Sequence, residues 1–295
     1  MKKNTFIKVL GCLMACTLAV VLAACGSANN QSANQSSSTS SDSAQTSSDA
    51  AATDDYTLVQ DGKLTMISNF YFPPFVSMST DQSHENPVDN FEGFDVDVYK
   101  AVCDKLGLEP NILPSVQFDT IVPTIKQGGK ADVSIGAITI TDERQQEVDM
   151  TDPYMDSNQA IVVKKDATAT DIDTLNVSGM KIAVQAGTTG EAWVKENIPN
   201  ATLVSLDDAI QAMTGVQSGL YNACVADLPV MQYLCNSSYQ DLEVVSEIPT
   251  GEQYGFVVSK DDPGLTAAIN TAYQELLDDG TIKELQLTWF GEELS

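Results

Sequence analysis

The sequence predicts an α/β fold made of two lobes that face each other across a cleft. Strand-like and helix-like segments alternate from residue 63 to residue 290, as they do in sheets that are covered by helices. Polar candidate residues follow predicted strands in both halves, and ligands of such sheets bind outside the carboxyl ends of the strands. Half-sites on two lobes predict a cleft that closes on its ligand.

The first 24 residues are predicted to be a targeting segment that is removed. Lys2, Lys3 and Lys8 precede an apolar run that ends in Leu22-Ala-Ala-Cys25, and this order is typical of a secretory signal. The cysteine after small residues resembles a bacterial lipobox, so we expect Cys25 to carry the lipid and to begin the mature chain. A transmembrane anchor is the alternative, but the run is short for a span of about 20 residues.

Residues 25–55 are predicted to be a disordered tether, because they are rich in Ser, Ala, Asn, Gln and Thr and contain no aromatic residue. Once the three lysines of the signal are removed, 12 of the 15 basic residues remain against 41 acidic ones, a net charge of −29. Such a charge argues against nucleic-acid binding and against contact of the folded part with anionic lipid.

No metal site and no cofactor are predicted. The folded part contains Cys103, Cys224 and Cys235, and their spacings match no zinc pattern. The single histidine, His84, cannot build a metal site with them. Cys103 falls at an apolar helix position, whereas a Cys224–Cys235 disulfide and two free thiols both remain open.

In the first half of the folded part, the segment Lys63–Asn69 is predicted to be a strand. Asp95 is predicted to cap a helix that ends at Gly107. The other elements predicted here are a strand from Asn111, a short helix capped by Asp119, a strand at Ala131–Ala137 and a helix that begins at Thr141.

In the second half, Thr188 and Glu191 have the spacing of a capping box at a helix start. Asp227 follows a predicted strand at its carboxyl end. Further elements are strands at Gln159–Lys164, Met180–Gln185, Tyr221–Ala226 and Glu252–Ser259, and two final helices separated by Gly280. We expect the chain to cross between lobes near 155–158 and 251–254, which assigns 56–156 and 252–295 to lobe 1 and 157–251 to lobe 2.

The segment from Ser134 to Arg144 indicates a site for a small carboxylate. A predicted strand ends in small residues, hydroxyl residues follow, and a helix start then carries the arginine. Helix N-termini and the two parallel donors of a guanidinium both bind carboxylates. Without further context, an ion pair between Arg144 and Glu147 on the protein surface is the alternative.

Several short motifs follow one another between Lys63 and Gly291. They are Phe70-Tyr-Phe-Pro-Pro-Phe75, Glu92-Gly-Phe-Asp-Val-Asp97, Phe118-Asp119, Ala137-Ile-Thr-Ile-Thr-Asp-Glu-Arg144, Thr151-Asp-Pro-Tyr154, Gln185-Ala-Gly-Thr-Thr189, Val225-Ala-Asp227, Gln253-Tyr-Gly255 and Asp279-Gly280 through Trp289-Phe-Gly291. Together they resemble the bacterial extracellular solute-binding proteins of family 3, which serve polar amino-acid ABC importers. The resemblance implies a type II periplasmic-binding-protein-like fold with two hinge strands.

The resemblance also implies which residues hold an amino acid. Arg144 matches the clamp for the α-carboxylate, and Thr139 and the Ala137 backbone match the contacts for the carboxylate and the α-amino group. Thr188 and Thr189 match donors of the second lobe, with helix capping as their alternative role. Asp227 matches the acid that pairs with the α-ammonium, with an N-cap role as its alternative.

The side chain of the ligand is expected to lie between Phe72 and Phe118, which would otherwise be core residues. Asn69 matches a ligand-binding position where many relatives have Asp, and its amide oxygen can accept one hydrogen bond from the ligand. Gln185 and Ala226 stand where glutamine-binding relatives tend to have Lys and His. These departures disfavour a glutamine-specific pocket and mildly disfavour lysine and arginine, which leaves a polar neutral or sulfur-containing amino acid.

The resemblance thus implies a monomeric, lipid-anchored receptor that faces the outside of the cell or the periplasm and passes an amino acid to an ABC permease. One alternative is an enzyme on the same scaffold, similar to cyclohexadienyl dehydratase. It would need a general acid, and no histidine pair can be assigned to the cleft. The other alternative is a sensing domain that acts through a signalling partner.

Overall fold

The computed structural model describes residues 56–294. The predicted signal segment, the lipidation site Cys25 and the predicted tether lie outside the described residues. Within residues 56–294, no helix has both the length and the apolar character that a bilayer span requires.

One mixed sheet organises the first lobe. Its strands are β1 (Lys63–Ile67), β5 (Glu109–Ile112), β6 (Val133–Ser134), β7 (Asp149–Met150) and β13 (Val257–Val258). They lie in the order β5-β1-β6-β13-β7, with β1 parallel to β5 and β6 and with β13 antiparallel to β6 and β7. The helices of this lobe are α1 (Phe94–Leu106), α2 (Ile121–Gln127), α3 (Asp142–Glu147), α8 (Pro263–Asp278) and α9 (Thr281–Phe290).

Smaller elements complete the first lobe. A three-stranded antiparallel sheet consists of β2 (Tyr71–Phe72), β3 (Val76–Met78) and β4 (Phe91–Glu92). Two short 3-10 helices span Pro87–Asn90 and Phe118–Thr120.

A second mixed sheet organises the other lobe. Its strands are β8 (Met155–Lys164), β9 (Lys181–Gln185), β10 (Thr202–Leu206), β11 (Ala223–Asp227) and β12 (Leu242–Tyr254), in the order β10-β9-β11-β8-β12. The helices are α4 (Ile172–Leu175), α5 (Thr189–Asn197), α6 (Ala209–Gln217) and α7 (Leu228–Ser237). Each lobe has its own five-stranded mixed sheet together with its helices. The predicted α/β class and the two-lobed architecture are therefore confirmed.

Two long strands carry the chain between the sheets. Strand β8 follows β7 of the first sheet, and β12 precedes β13 of the same sheet. The two pair antiparallel, with Met155 opposite Tyr254 and Ser157 opposite Glu252. The segments in which we expect the chain to cross, near 155–158 and 251–254, form the paired ends of these strands.

Three local predictions at the ends of elements are wrong, for reasons that the backbone makes clear. Asp95 does not cap α1, because Gly93 is the N-cap and Asp95 lies fully buried in the first turn. Asp119 lies inside a 3-10 helix rather than at the cap of α2. The strand predicted at Ala131–Ala137 is reduced to Val133–Ser134, since the chain leaves the extended conformation at Gly136 and Ala137, whose φ angles are 154° and 51°.

Two of the three cysteines in the described part of the chain, Cys103 and Cys224, are buried packing residues, and Cys235 is half-buried. Cys103, Cys224 and Cys235 are all free thiols, and burial raises the pKa of Cys103 and of Cys224 to about 12. Such thiols carry almost no thiolate, which is the reactive form. Residues 56–294 contain no group of three or more His, Cys, Asp and Glu side chains suited to hold a metal ion.

The entry to α1 depends on a glycine that no other residue can replace without strain. Gly93 has φ 134°, and a Cβ atom there would lie 2.1 Å from the carbonyl oxygen of Phe75. Gly62 also has a positive φ, 75°, but a Cβ atom there would meet nothing within 4 Å.

We therefore expect Gly93→Ala to lower the free energy of unfolding by at least about 2 kcal/mol, because it adds a backbone clash to an unfavourable φ. Gly62→Ala is the matched control and should cost about 1 kcal/mol, from the φ angle alone. Urea unfolding of both variants measures the difference, and equal losses would contradict the assignment of the clash.

Candidate functional site

A narrow pocket lies between the two lobes, and all nine residues predicted to bind the ligand line it. Gly136 and Gln185 complete the lining. The pocket residues are Asn69, Phe72, Phe118, Gly136, Ala137, Thr139, Arg144, Gln185, Thr188, Thr189 and Asp227. The cavity volume is only ≈ 10 Å³, about the space that one water molecule requires. The lobes are therefore closed on each other in this structure.

Arg144 reaches from the first lobe to the second. Helix α3 begins with Thr141 as its N-cap, whose hydroxyl accepts a 3.1 Å hydrogen bond from the Arg144 backbone N–H. The guanidinium donates from Nη1 to the Thr139 carbonyl at 2.6 Å and from Nη2 to the Gly187 carbonyl at 3.1 Å. Its Cζ lies 5.3 Å from the centre of the Phe118 ring, within the range of a cation–π contact.

The surface ion pair considered as an alternative for Arg144 is absent among the described residues, since Glu147 pairs with Lys126. Burial lowers the pKa of the Arg144 guanidinium, and the negative charges of Asp227, Glu252 and Glu143 oppose that shift. The arginine therefore remains a cation that is only partly compensated by protein groups, as a clamp for a ligand carboxylate would be.

Asp227 faces Arg144 from the end of β11 in the second lobe. Its Oδ1 accepts a 2.8 Å hydrogen bond from Gln159 Nε2, and its Oδ2 accepts a 2.5 Å bond from the Tyr254 hydroxyl. Asp227 occupies the N-cap position of α7, but its side chain makes no capping bond. Burial, and then the charge of Glu252, raises the pKa of Asp227 to about 7, against the effects of Tyr254, Gln159 and Arg144.

Ala137 has its backbone fixed by a buried carboxyl group. Its N–H donates to Asp95 Oδ2 at 2.7 Å and to the Tyr154 hydroxyl at 3.2 Å, and Tyr154 donates to the same Asp95 oxygen at 2.7 Å. Because the N–H is used inside the lobe, the carbonyl is the Ala137 backbone group that remains for a ligand. Burial raises the pKa of Asp95 to about 7.

The three threonines of the pocket have different roles. The Thr188 hydroxyl donates to the Gln185 carbonyl at 2.8 Å and accepts from the Glu191 N–H at 3.1 Å. Thr188 therefore caps the N-terminus of α5, which is the alternative role considered for it above. The reciprocal bond of the predicted capping box is displaced by one residue, since Glu191 accepts from the Gly187 N–H. The hydroxyls of Thr139 and Thr189 both donate to Glu252.

The far end of the pocket is polar and neutral. Gln185 Nε2 donates across the lobes to Asn69 Oδ1 at 3.1 Å and to the Asp207 carbonyl at 3.2 Å. Asn69 Nδ2 donates to the Val116 carbonyl at 2.8 Å. Phe72 is buried and Phe118 is half-buried, and both line the same pocket as this amide pair. Ala226, which the sequence analysis singled out for specificity, is buried and does not line the pocket.

Sequence reasoning missed two residues at the pocket, Glu252 and Gln159. Gln159 Nε2 lies within hydrogen-bond distance of Asp227 Oδ1, Glu252 Oε2 and Thr189 Oγ1, at 2.8, 3.0 and 3.2 Å. Both residues belong to the strands that connect the lobes. Side chains two positions apart on a strand share a face, so the position of Glu252 relative to Tyr254 is the signal that could have revealed it.

Comparisons of the sequence with family models and with known proteins agree on one family. The family model described as bacterial extracellular solute-binding proteins, family 3, matches residues 64–292. The ABC transporter glutamine-binding protein GlnH of Bacillus subtilis (strain 168) is 28% identical over 204 residues, which cover 68% of this chain and 74% of that protein.

Solved structures have the same architecture. An ancestral arginine-binding protein bound to glutamine superposes with a TM-score of 0.71 at 34% identity, covering 79% of this chain and 100% of that one. The ancestral amino acid-binding protein AncCDT-1, a precursor of cyclohexadienyl dehydratase, gives a TM-score of 0.70 at 33% identity, covering 78% of this chain and 96% of that one.

Because the pKa of Asp227 is raised in the folded state, we expect this residue to make the free energy of unfolding depend on pH. Its folded-state pKa of about 7 lies above the ordinary carboxyl value of 3.8, so the folded state holds this proton more tightly than the unfolded state. The stability that this group contributes is present at low pH and is lost as the pH rises through about 7.

We therefore expect the difference in unfolding free energy between Asp227→Asn and the wild type to shift in favour of the variant by about 2–4 kcal/mol from pH 4 to pH 8. Asp95 titrates in both proteins, so its effect cancels in the difference. Urea unfolding at both pH values measures the shift, and a difference that does not vary with pH would contradict the assignment.

Proposed function

Because this chain belongs to the bacterial extracellular solute-binding proteins of family 3, we propose that it is the amino-acid receptor of an ABC importer. It captures a polar amino acid between its lobes and delivers it to a membrane permease. In this proposal Cys25 carries a lipid that holds the protein on the outer face of the cell membrane, and the receptor acts as a monomer.

The observation that carries the proposal is the pairing of opposite charges from opposite lobes. Arg144 enters the pocket from α3 in the first lobe, and Asp227 enters it from the end of β11 in the second. A free amino acid has a carboxylate and an ammonium group on one carbon, so it complements both groups at once. The ligand would thus link the lobes and favour the closed state by its differential affinity for that state.

The neutral end of the pocket supports a ligand with a polar, uncharged side chain or a sulfur-containing one. Asn69 and Gln185 offer amide donors and acceptors there, and Phe72 and Phe118 offer apolar surface. Neither amide carries a charge that would compensate a buried lysine or arginine side chain.

Entry of the ligand requires the lobes to separate. The lobes cover the pocket in this closed structure, and contacts such as Arg144 to Gly187 and Gln185 to Asn69 join the lobes directly. We propose that rotation about the paired ends of β8 and β12 opens and closes the pocket.

An enzyme on this scaffold is the second candidate function, because a carboxyl group with a pKa of about 7 suits a general acid and Asp227 has such a pKa. Both oxygens of Asp227 are, however, held by Gln159 and Tyr254. We infer a binding role for it, and we expect the protein to leave prephenate and arogenate unchanged when their turnover is followed by absorbance.

A thermal-shift screen with the common amino acids and L-cystine tests the receptor proposal. We expect one or a few of them, at about 100 times their dissociation constant, to raise the melting temperature by about 5–10 °C. Arg144→Gln should abolish the shift because it removes the carboxylate clamp. Lys126→Gln, which removes an equal charge outside the pocket, should retain it.

Failure of every amino acid to stabilise the wild-type protein would refute the proposal. If both variants lost the shift equally, the effect of Arg144→Gln would reflect the loss of a positive charge in general, and Arg144 would have no specific role as a carboxylate clamp.

A further inference from the structure

We propose that Glu252 makes one half of the pocket an ammonium site by orienting the hydroxyl groups of Thr139 and Thr189. The inference rests on the proposed function and extends it to a residue of the connecting strand. It also changes the role expected for Thr139, from a contact of the ligand carboxylate to a contact of the ammonium.

A single oxygen of Glu252 collects donors from both lobes. Oε2 accepts from Thr139 Oγ1 of the first lobe at 3.1 Å, and from Thr189 Oγ1 and Gln159 Nε2 of the second lobe at 3.0 Å each. Thr139 and Gln159 are buried, and Glu252 and Thr189 are half-buried. Glu252 thus lies where the lobes meet the connecting strand, beside the two charged residues of the pocket.

The direction of the hydroxyl protons of Thr139 and Thr189 determines whether these groups present donors or acceptors to the ligand. A hydroxyl group has one proton to donate and two lone pairs that accept. Thr139 and Thr189 both direct their proton to Glu252, so only their lone pairs remain for the ligand. Gln159 Nε2 has two protons, and its shorter contacts are those to Asp227 Oδ1 at 2.8 Å and Glu252 Oε2 at 3.0 Å, whereas Thr189 Oγ1 lies at 3.2 Å; the lone pairs of Thr189 therefore remain for the ligand.

The pocket consequently divides into an acceptor half and a donor half. The acceptor half combines the threonine lone pairs with the Asp227 carboxylate and the Ala137 carbonyl, all suited to the three N–H donors of an ammonium group. The donor half contains the Arg144 guanidinium and the start of α5, where the helix dipole favours a carboxylate. Glu252 places a second negative charge beside Asp227, which further favours a cation there.

Glu252 could instead weaken ligand binding by competing with the ligand carboxylate for the threonine protons, and this alternative is testable. If the ligand carboxylate needed the two threonine protons, Glu252 would compete with it, and removing Glu252 would strengthen the binding of every ligand that has a carboxylate. Analogues that lack the ammonium group separate the two effects.

The experiment measures two dissociation constants by calorimetry at pH 7.5. The probes are the L-amino acid that gives the largest shift in the thermal screen and the 2-hydroxy acid with the same side chain, which keeps the carboxylate but has no ammonium group. Both are measured with the wild type, Glu252→Ala and Glu252→Gln. The matched control is Glu247→Ala, which removes an exposed glutamate from the same strand.

We expect Glu252→Ala to weaken binding of the amino acid about tenfold, the usual effect of losing a charge-assisted contact. Binding of the hydroxy acid should change little, so the dissociation constant of the hydroxy acid divided by that of the amino acid should fall about tenfold. Glu252→Gln keeps an acceptor oxygen but no charge, and it should reduce the ratio less. If Glu252→Ala does not fold, this second variant still reports the fall. Glu247→Ala should leave the ratio unchanged.

Tighter binding of both probes to Glu252→Ala would overturn the inference and identify Glu252 as a competitor of the ligand carboxylate. An unchanged ratio would also overturn it and leave Glu252 with a purely structural role. If the wild type binds no amino acid, the proposed function itself fails, which is a distinct result.

Discussion

The partial burial of one guanidinium group is the constraint on which the pocket depends. Arg144 is the only arginine in a sequence with 41 acidic residues. Removing a cation from water costs several kcal/mol unless acceptors and opposite charges surround it. Carbonyl groups of both lobes accept its protons, at Thr139 and Gly187, and Asp227 and Glu252 supply negative charge. The closed lobes and the half-buried cation therefore stabilise each other.

A second buried group keeps the first lobe ready for a ligand. Asp95 holds the Ala137 N–H and the Tyr154 hydroxyl on one oxygen, and Ala137 adopts a φ of 51° that alanine rarely takes. Such a backbone conformation persists only where the surroundings impose it. The hydrogen bonds of Asp95 form inside the lobe, so the Ala137 carbonyl can be positioned before any ligand arrives.

Much of the architecture and of the pocket lining follows from local sequence patterns. Gly107 ends α1 in a left-handed conformation, as predicted, and its N–H bonds the Cys103 carbonyl and the Asp104 carbonyl. The resemblance of short motifs to the family implied the pocket-lining residues from Asn69 to Asp227, and some of them also follow strands, whose carboxyl ends converge in an α/β sheet.

What local patterns could not predict depends on contacts between distant segments. Asp95 has the composition and spacing of a helix cap, yet it bonds Ala137, 42 positions away. Glu252 reads as an ordinary polar position of a strand, and only the antiparallel pairing of β8 with β12 brings it to the pocket. The protons of Thr139 and Thr189 are likewise set by a residue more than 60 positions away.

The interrupted ladder between β8 and β12 has a mechanical consequence. Regular pairing stops at Ile248 and resumes at Glu252, and within this gap the Gly251 N–H is held by the Asn158 side chain at 3.0 Å. A bulged strand can bend where it lacks ladder bonds, so the lobes can rotate without breaking the pairing on either side. Glu252 is the first residue beyond the bend. The proposed rotation of the lobes about this bend would therefore change the distance of its carboxylate from the pocket, and with it the hydrogen bonds of Thr139 and Thr189.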